Sequence, residues 1–404
     1  MKAKLPDTWR RDRLIDLLEI VIDYRGQSVP KADIGVPLIT ARNIKEGSLD
    51  FSVAEYVEEA AYETWMTRGL PRYGDVVFTT EAPLGNVALY PASGRFALGQ
   101  RVVGLRPRAD RLSASYLVQF LLSPKGMARV QLYATGSTAQ GISSQQLKKI
   151  AIDYPPLREQ HSIAAILHGW DAVIAKVEAL TAVKERSLRG LMQHLLHPSH
   201  VPQLRLSTFV ARVTRKDKTG SGLPLTISGR DGLISQLQFY DKRIAADATE
   251  HYTLLKRGEF AYNRSYSSGY PYGAIKRLDS YDEGVVSSLC MCFGLIPDGP
   301  VLSDYLVYFC EVGGFNRQIH MIAQEGARNH GLLNVAMHDF FAMKMPVPSL
   351  REQARVVNIL ATATKEIQLL RDELDELRKQ KRGLMQKLLR GDRRVGTGRN
   401  GARA

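Results

Sequence analysis

The chain has 404 residues, of which 44% are hydrophobic and 24% charged, with a formal net charge of +14. That length exceeds one ordinary core and predicts roughly two to four domains, the composition excludes a disordered chain, and three cysteines exclude a disulfide framework. Apolar runs such as DVVF and LCMCFGLI are far shorter than the ~20 residues of a membrane span, and the N-terminal MKAKLPDTWRRDRL lacks the apolar stretch of a signal peptide, so a cytoplasmic location is expected.

Taken in chain order, residues 1–154 predict a first globular domain. The runs DVVFTT, GNVALY and RVVGLRP read as short strands between glycine and proline turns, and SASYLVQFLLSPKGMARVQLYA reads as a helical hairpin. Residues 155–197 predict a long helix opened by Pro155 and Pro156 and closed before Pro198. Residues 198–347 repeat the first pattern, with EFAYNR and VVSSLCMCFGLI as strands and LSDYLVYFCEVGGFNRQIHMIA as a hairpin or broken helix. Residues 348–390 predict a second long helix, and 391–404 a flexible basic tail. The fold class expected is α+β: two domains of mixed, mostly antiparallel sheet plus helices, each followed by a long helix. A single curved sheet is expected in each domain.

The two helices are copies of one segment. LREQ occurs at 157–160 and 350–353, RGLMQ at 189–193 and 382–386, and the offset is 193 for both. Residues 155–197 over 348–390 give 15 identities in 43 positions without a gap, where random pairing gives about three. Upstream, weaker likeness keeps its order: PLITARNIKEG against PLTISGRDG, RYGDVVFTT against KRGEFAYNR, SYLVQFLLS against DYLVYFCEV, and TGSTAQGISSQQL against EGARNHGLLNVAMHDF. The chain is thus an internal repeat.

In the second helix Leu360, Ile367, Leu370, Leu374, Leu377, Leu384 and Leu388 recur with heptad spacing, broken at Lys381. The first carries Leu167, Ile174, Leu188, Leu191 and Leu195 in the same way, with Thr181 and Lys184 at seam positions. About 40 residues at ~1.5 Å each make a rod near 60 Å. Its narrow apolar stripe needs a partner, and the other copy is the obvious one. The repeated phrase itself reads as scaffold and partner surface.

Catalytic signatures are missing. The chain has no GxxxxGK[ST] phosphate loop, no GxGxxG turn between strand and helix and no GxSxG elbow. DYPPL at 153–157 has the wrong order for the (D/N)PP(Y/F) loop of amino-methyltransferases. His194, His197 and His200 lack an acidic or cysteine companion for a metal, and Cys290 and Cys292 read as core residues. Neither a metal nor a cofactor is expected. The +14 charge favours a polyanion, although the tail from Arg390 holds +4 of it. Loops hold the donors and acceptors that base edges and phosphates require: Arg42, Asn43, Thr80, Glu81, Asn86, Arg101, Ser137, Thr138 and Gln140 in the first half, and Arg230, Asn263, Arg264, Tyr266, Tyr270, Arg328, Asn329 and His330 in the second. These are the candidate DNA-binding residues.

The doubled junctions TGSTAQGISSQQLKKIAIDYPPLREQHSIAAIL and EGARNHGLLNVAMHDFFAMKMPVPSLREQARVVNIL, with YRGQSVPKADIGVPLITARNIKEGSLDF near the start, resemble the specificity subunits of type I restriction-modification systems over nearly all of residues 10–390. The resemblance implies two target recognition domains reading a split double-stranded DNA target, held apart by an antiparallel intramolecular coiled coil. It also implies two modification (methyltransferase) subunits and restriction/translocase subunits as partners, with no catalytic residue on this chain. The second half departs from the Thr-Ala-Arg-Asn form at 226–230 and from the Gly-Ser-Thr turn, which fits two domains reading different sequences. A stand-alone DNA-binding regulator, a protein-binding coiled-coil scaffold and an enzyme acting on DNA alone are the other readings.

Overall fold

The computed structural model describes residues 5–24, 29–136, 140–218, 220, 222–229, 231–240, 249–266, 269–325 and 333–395. Two compact units divide the chain: Met1–Glu178 with Asp372–Ala404, and Ala179–Arg371. Each unit therefore takes part of both long helices. Among the described residues no helix is long and apolar enough to cross a membrane.

The first unit is built on an antiparallel sheet in the order Leu18–Asp23, Val102–Pro107, Val76–Thr79, Val87–Leu89. Val76–Thr79 is buried at every position, so both faces of this strand need a cover. Side chains alternate between the faces. Val76, Phe78, Val103 and Leu105 join an inner cluster with Tyr116, Leu117 and Phe120 of helix Ala114–Leu122. Val77, Ala88 and Val102 join an outer cluster with Tyr24, Trp65 and Leu98. A second sheet covers that outer face, in the order Lys31–Ala32, Glu55–Val57, Val36–Ile39, Ala97–Leu98, with the last pair parallel.

The second unit repeats the plan: Val210–Arg212, Met291–Leu295, Phe260–Asn263, Ala274–Arg277, again antiparallel. Phe260, Tyr262 and Phe293 face inward with Tyr305, Phe309 and Phe340, whereas Ala261 and Cys292 face a smaller outer cluster. Two strand pairs stand on the outer side, Leu225–Ser228 with Gly232–Ser235 and Thr253–Lys256 with Glu283–Val286. The one curved sheet expected per half is thus several small sheets, because a central strand buried on both faces needs a separate layer over its outer side. Burial pushes the Cys290 thiol up to about 11 and the Cys292 thiol up to about 12, leaving both protonated near neutral pH.

The long helices run Leu157–Leu196 and Leu350–Arg390. In the first unit the Glu178–Arg378 pair, the Asp171–Lys381 pair and Glu159–Arg394 ascend one segment as they descend the other. In the second unit Lys184–Glu366 and Glu185–Arg371 do the same. The pairing is antiparallel in both. Leu167, Leu360, Ile367, Leu374 and Leu388 are buried, while Ile174, Leu188, Leu191, Leu195, Leu370, Leu377 and Leu384 are half-buried; Leu188, Leu191 and Leu195 pack against the second unit's core and Leu384 against the first's. The seam-breaking Lys381 meets Asp171, which also accepts from Gln119 Nε2 at 3.0 Å. Gly391, at φ +80°, ends the second helix, with its N–H donating to Leu388 at 3.2 Å. Beyond it Arg394 donates from Nε to Glu159 Oε1 at 2.8 Å, so the expected tail is held at least that far.

The repeated words now have contacts. Gln160 is fully buried: its Oε1 accepts from Ser113 N at 2.8 Å, and its Nε2 donates to the carbonyls of Arg111 at 2.9 Å and Pro155 at 2.8 Å. Gln353 is equally buried and repeats the set with Leu302 N, Pro300 O and Pro348 O at 2.8, 2.7 and 2.8 Å. Each glutamine ties a helix start to the loop before the Ala114–Leu122 or Ser303–Glu311 helix, which makes this part of LREQ internal scaffold rather than partner surface. In RGLMQ, Met192 and Met385 are buried, as are Leu196 and Leu389 just beyond. There each helix turns its apolar face from the seam to a globular core.

Candidate nucleic-acid interface

The end of the central strand organises the candidates in each unit. In the first, Thr80 follows Val76–Thr79; its N–H donates to Arg101 O at 3.0 Å and its carbonyl accepts from Ile142 N at 2.9 Å. In the second, Arg264 follows Phe260–Asn263; its Nε donates to Leu289 O at 3.1 Å and its carbonyl accepts from Leu333 N at 3.0 Å. The same three segments meet at both corners. The third is a hairpin base in each case: Thr135 bridges Gly141, and Gln324–Glu325 pairs with Leu333–Asn334.

At the first corner Arg101 Nε lies 2.9 Å from Glu81 Oε1, both side chains being exposed. Gln140, on the hairpin base, is exposed as well. Arg42 is exposed on the loop that Asn86 fixes through a 2.8 Å bond from Nδ2 to Ile44 O. Asn43 is buried inside that loop. Its Oδ1 accepts from Thr40 N and Oγ1 at 2.9 and 2.6 Å, and its Nδ2 donates to Asp50 O and Val53 O at 2.9 and 3.0 Å. Thr80 is 1% exposed, with Oγ1 directed at Arg101 O. For the direct contacts expected of Asn43 and Thr80, the geometry substitutes a supporting role: their polar atoms already shape the loops that present Arg42 and Arg101.

At the second corner Tyr266 is exposed and Asn263 Oδ1 accepts from Ser265 N at 3.1 Å. Tyr270 is also drawn inward. Its hydroxyl lies 2.9 Å from each of Gly229 O, Glu311 Oε2 and Lys276 Nζ, which leaves it little capacity for a base. Ser137, Thr138, Arg230, Arg328, Asn329 and His330 lie outside the described residues.

The first unit also holds a residue that the sequence reading met only within DYPPL. Asp153 is fully buried and meets Arg11 Nε at 2.5 Å, with Lys125 Nζ and Arg129 Nη2 both at 2.7 Å. Burial alone would push its carboxyl up; the hydrogen bonds from Arg11, Arg129 and Lys125 hold it far below the usual carboxylate range. An anion so neutralised is structural, which agrees with Pro346 standing at the corresponding place. Among the described residues no group of His, Cys, Asp and Glu could hold a metal ion.

The family described as the Type I restriction modification DNA specificity domain matches residues 6–184. A protein assigned as the MjaX type I restriction enzyme specificity subunit of Methanocaldococcus jannaschii is 24% identical, over 98% of this chain and 96% of its own. A chain solved in work on complex assembly and conformational transition of the type I R-M system is 17% identical, with TM-score 0.58, covering 97% of this chain and all of its own. The type I restriction-modification S subunit from M. genitalium is 15% identical, with TM-score 0.55, covering 96% of this chain and 98% of its own.

Proposed function

We propose, from the premise that the chain belongs to the specificity subunits of type I restriction-modification systems, that each unit reads one half of a split DNA target through its strand-end corner. DNA and the other subunits of such a system are its partners. The observation that carries the division of labour is the pair of corners: the same three-segment framework holds Thr80, Glu81 and Arg101 in one unit and Arg264, Leu289 and Tyr266 in the other. A common frame with different side chains is what two readers of different half-sites need.

In this reading the domains are residues 1–154 and 198–347, and the paired helices of equal length set the spacing between half-sites. Pseudo-symmetry within one chain presents two similar surfaces, one for each of two modification subunits, and restriction/translocase subunits join that assembly. The chain contributes recognition and no chemistry; methyl transfer is expected from the assembled complex and not from this chain alone.

Exchanging residues 1–150 for those of a relative, then sequencing methylated adenines in the host genome, tests the modular reading. One half-site should change and the other remain. An unchanged methylation pattern would sink it. Replacing Leu370, Leu374 and Leu377 with Asp should abolish recognition of the split site, and normal binding by that triple variant would refute the role of the paired helices.

A further inference from the structure

The second corner opens on a cleft of about 270 Å³, with which it shares Arg264 and Leu289. Its walls come from the end of edge strand Val210–Arg212 and the segment after it, from the turn before Met291–Leu295, and from the start of helix Met337–Ala342. Among the described residues Arg212, Lys216 and Arg264 line it, and no carboxylate does. Lys216 Nζ donates to His251 O at 2.8 Å and Arg264 Nε to Leu289 O, both neutral acceptors. Neither contact cancels charge. Glu259, which does not line the cleft, is engaged by Arg215. Among the described residues, then, three cations line one concavity with no carboxylate paired to them, next to the exposed Leu289 and the hydroxyl-bearing Ser288 and Thr214.

Such an arrangement costs free energy through mutual repulsion unless an anion completes it. The first corner shows the contrast: its Arg101 is paired with Glu81. We infer that the cleft seats a backbone phosphate of the DNA, held by Arg212, Lys216 and Arg264, so that the second unit grips DNA by charge at a place where the first does not. This rests on the DNA-reading function proposed above. Phosphate contacts position a reader without selecting sequence, so the site governs how firmly the second half-site is held rather than which bases it contains.

The test is the salt dependence of binding to a random-sequence duplex by the full chain, for wild type, Arg264→Gln, Lys216→Gln and Arg212→Gln. Loss of this one phosphate contact should flatten the slope of log affinity against log salt by up to about 0.9. Arg264→Lys, which keeps the charge, should keep most of the slope. Because slope does not depend on the folded fraction, a partly unfolded variant still reports. Wild-type slopes in all three glutamine variants would overturn the site while leaving DNA recognition standing. No duplex binding by the wild type would remove both. Displacement of ATP from the cleft by those substitutions, with an unchanged DNA slope, would assign the cleft to a free phosphate compound and overturn the proposal.

Discussion

The outer faces of the two central sheets solve one packing problem differently. In the first unit Ala88, opposite Val77, is 1% exposed within an apolar cluster that includes Ile22, Tyr24 and Trp65. At the same register in the second unit Lys276 stands opposite Ala261 and is 5% exposed. Its Nζ donates to Glu311 Oε1 at 2.6 Å, to Tyr270 at 2.9 Å and to Gly229 O at 2.8 Å. Burial would lower the Lys276 ammonium, but the charge of Glu311 and the hydrogen bonds to Glu311 and Tyr270 raise it instead. The inner faces are alike because helices and glutamine clasps press on both. The outer face answers only to its own covering layer, so it is free to be apolar in one unit and a saturated polar hub in the other.

The sharpest way to break this comparison is at Asp153, which has no acidic counterpart in the second unit. Asp153→Ala strands Arg11, Lys125 and Arg129, and should cost the first unit about 2–4 kcal/mol, the partial exposure of the cations reducing the full penalty. Hydrogen exchange should show the loss in the first unit and spare the second. Acid should do the same to the wild type. The folded carboxyl lies below the unfolded value of about 3.9, so its contribution is present above that pH and vanishes as pH falls through the folded value. Equal protection of both units on acidification would refute this.

Gln160→Leu and Gln353→Leu probe what the units share. Each removes three bonds at a buried site and should cost roughly 1–3 kcal/mol for orphaned partners. Similar losses, each in its own unit, are expected in urea melts followed by exchange. Lys276→Met should cost the second unit about 1–3 kcal/mol, since Glu311 can recover some water. Smallest are the exposed interhelical pairs: Glu178→Gln or Glu185→Gln should change stability by no more than about 1 kcal/mol, and less at high salt.

Periodicity and repetition made the large plan legible. Heptads exposed the paired helices, short apolar runs between glycine and proline turns exposed the strands, and the 193-residue offset exposed the duplication. The seam was readable because helical spacing is local. What lay hidden depended on distant partners. Gln160 and Gln353 look like polar helix residues until the loop carbonyls before the next helix arrive. Asp153 looks like an ordinary acid before the helix-entry prolines until residues 11, 125 and 129 converge on it. Asn43 and Tyr270 have the chemistry of contact residues, yet nearby backbone and side chains claim their polar atoms first. Met192 and Met385 carried a usable signal, since both recur in RGLMQ and repeat four residues before Leu196 and Leu389.

The division of the chain bears on its synthesis. Residues 179–371 are contiguous, so the second unit has all its parts once that segment leaves the ribosome. The first unit begins earlier but finishes last, because Met385, Leu388 and Leu389 belong to its core and Lys125 donates to Leu389 O at 3.1 Å. Until Met385, Leu388 and Leu389 emerge, a nascent first unit has an apolar face awaiting them. Long-range closure of this kind is slow and leaves sticky surface uncovered in the interval. The expected order of completion is therefore the reverse of the order of emergence, and a released chain truncated after residue 371 should carry a protease-resistant second unit behind a protease-sensitive first.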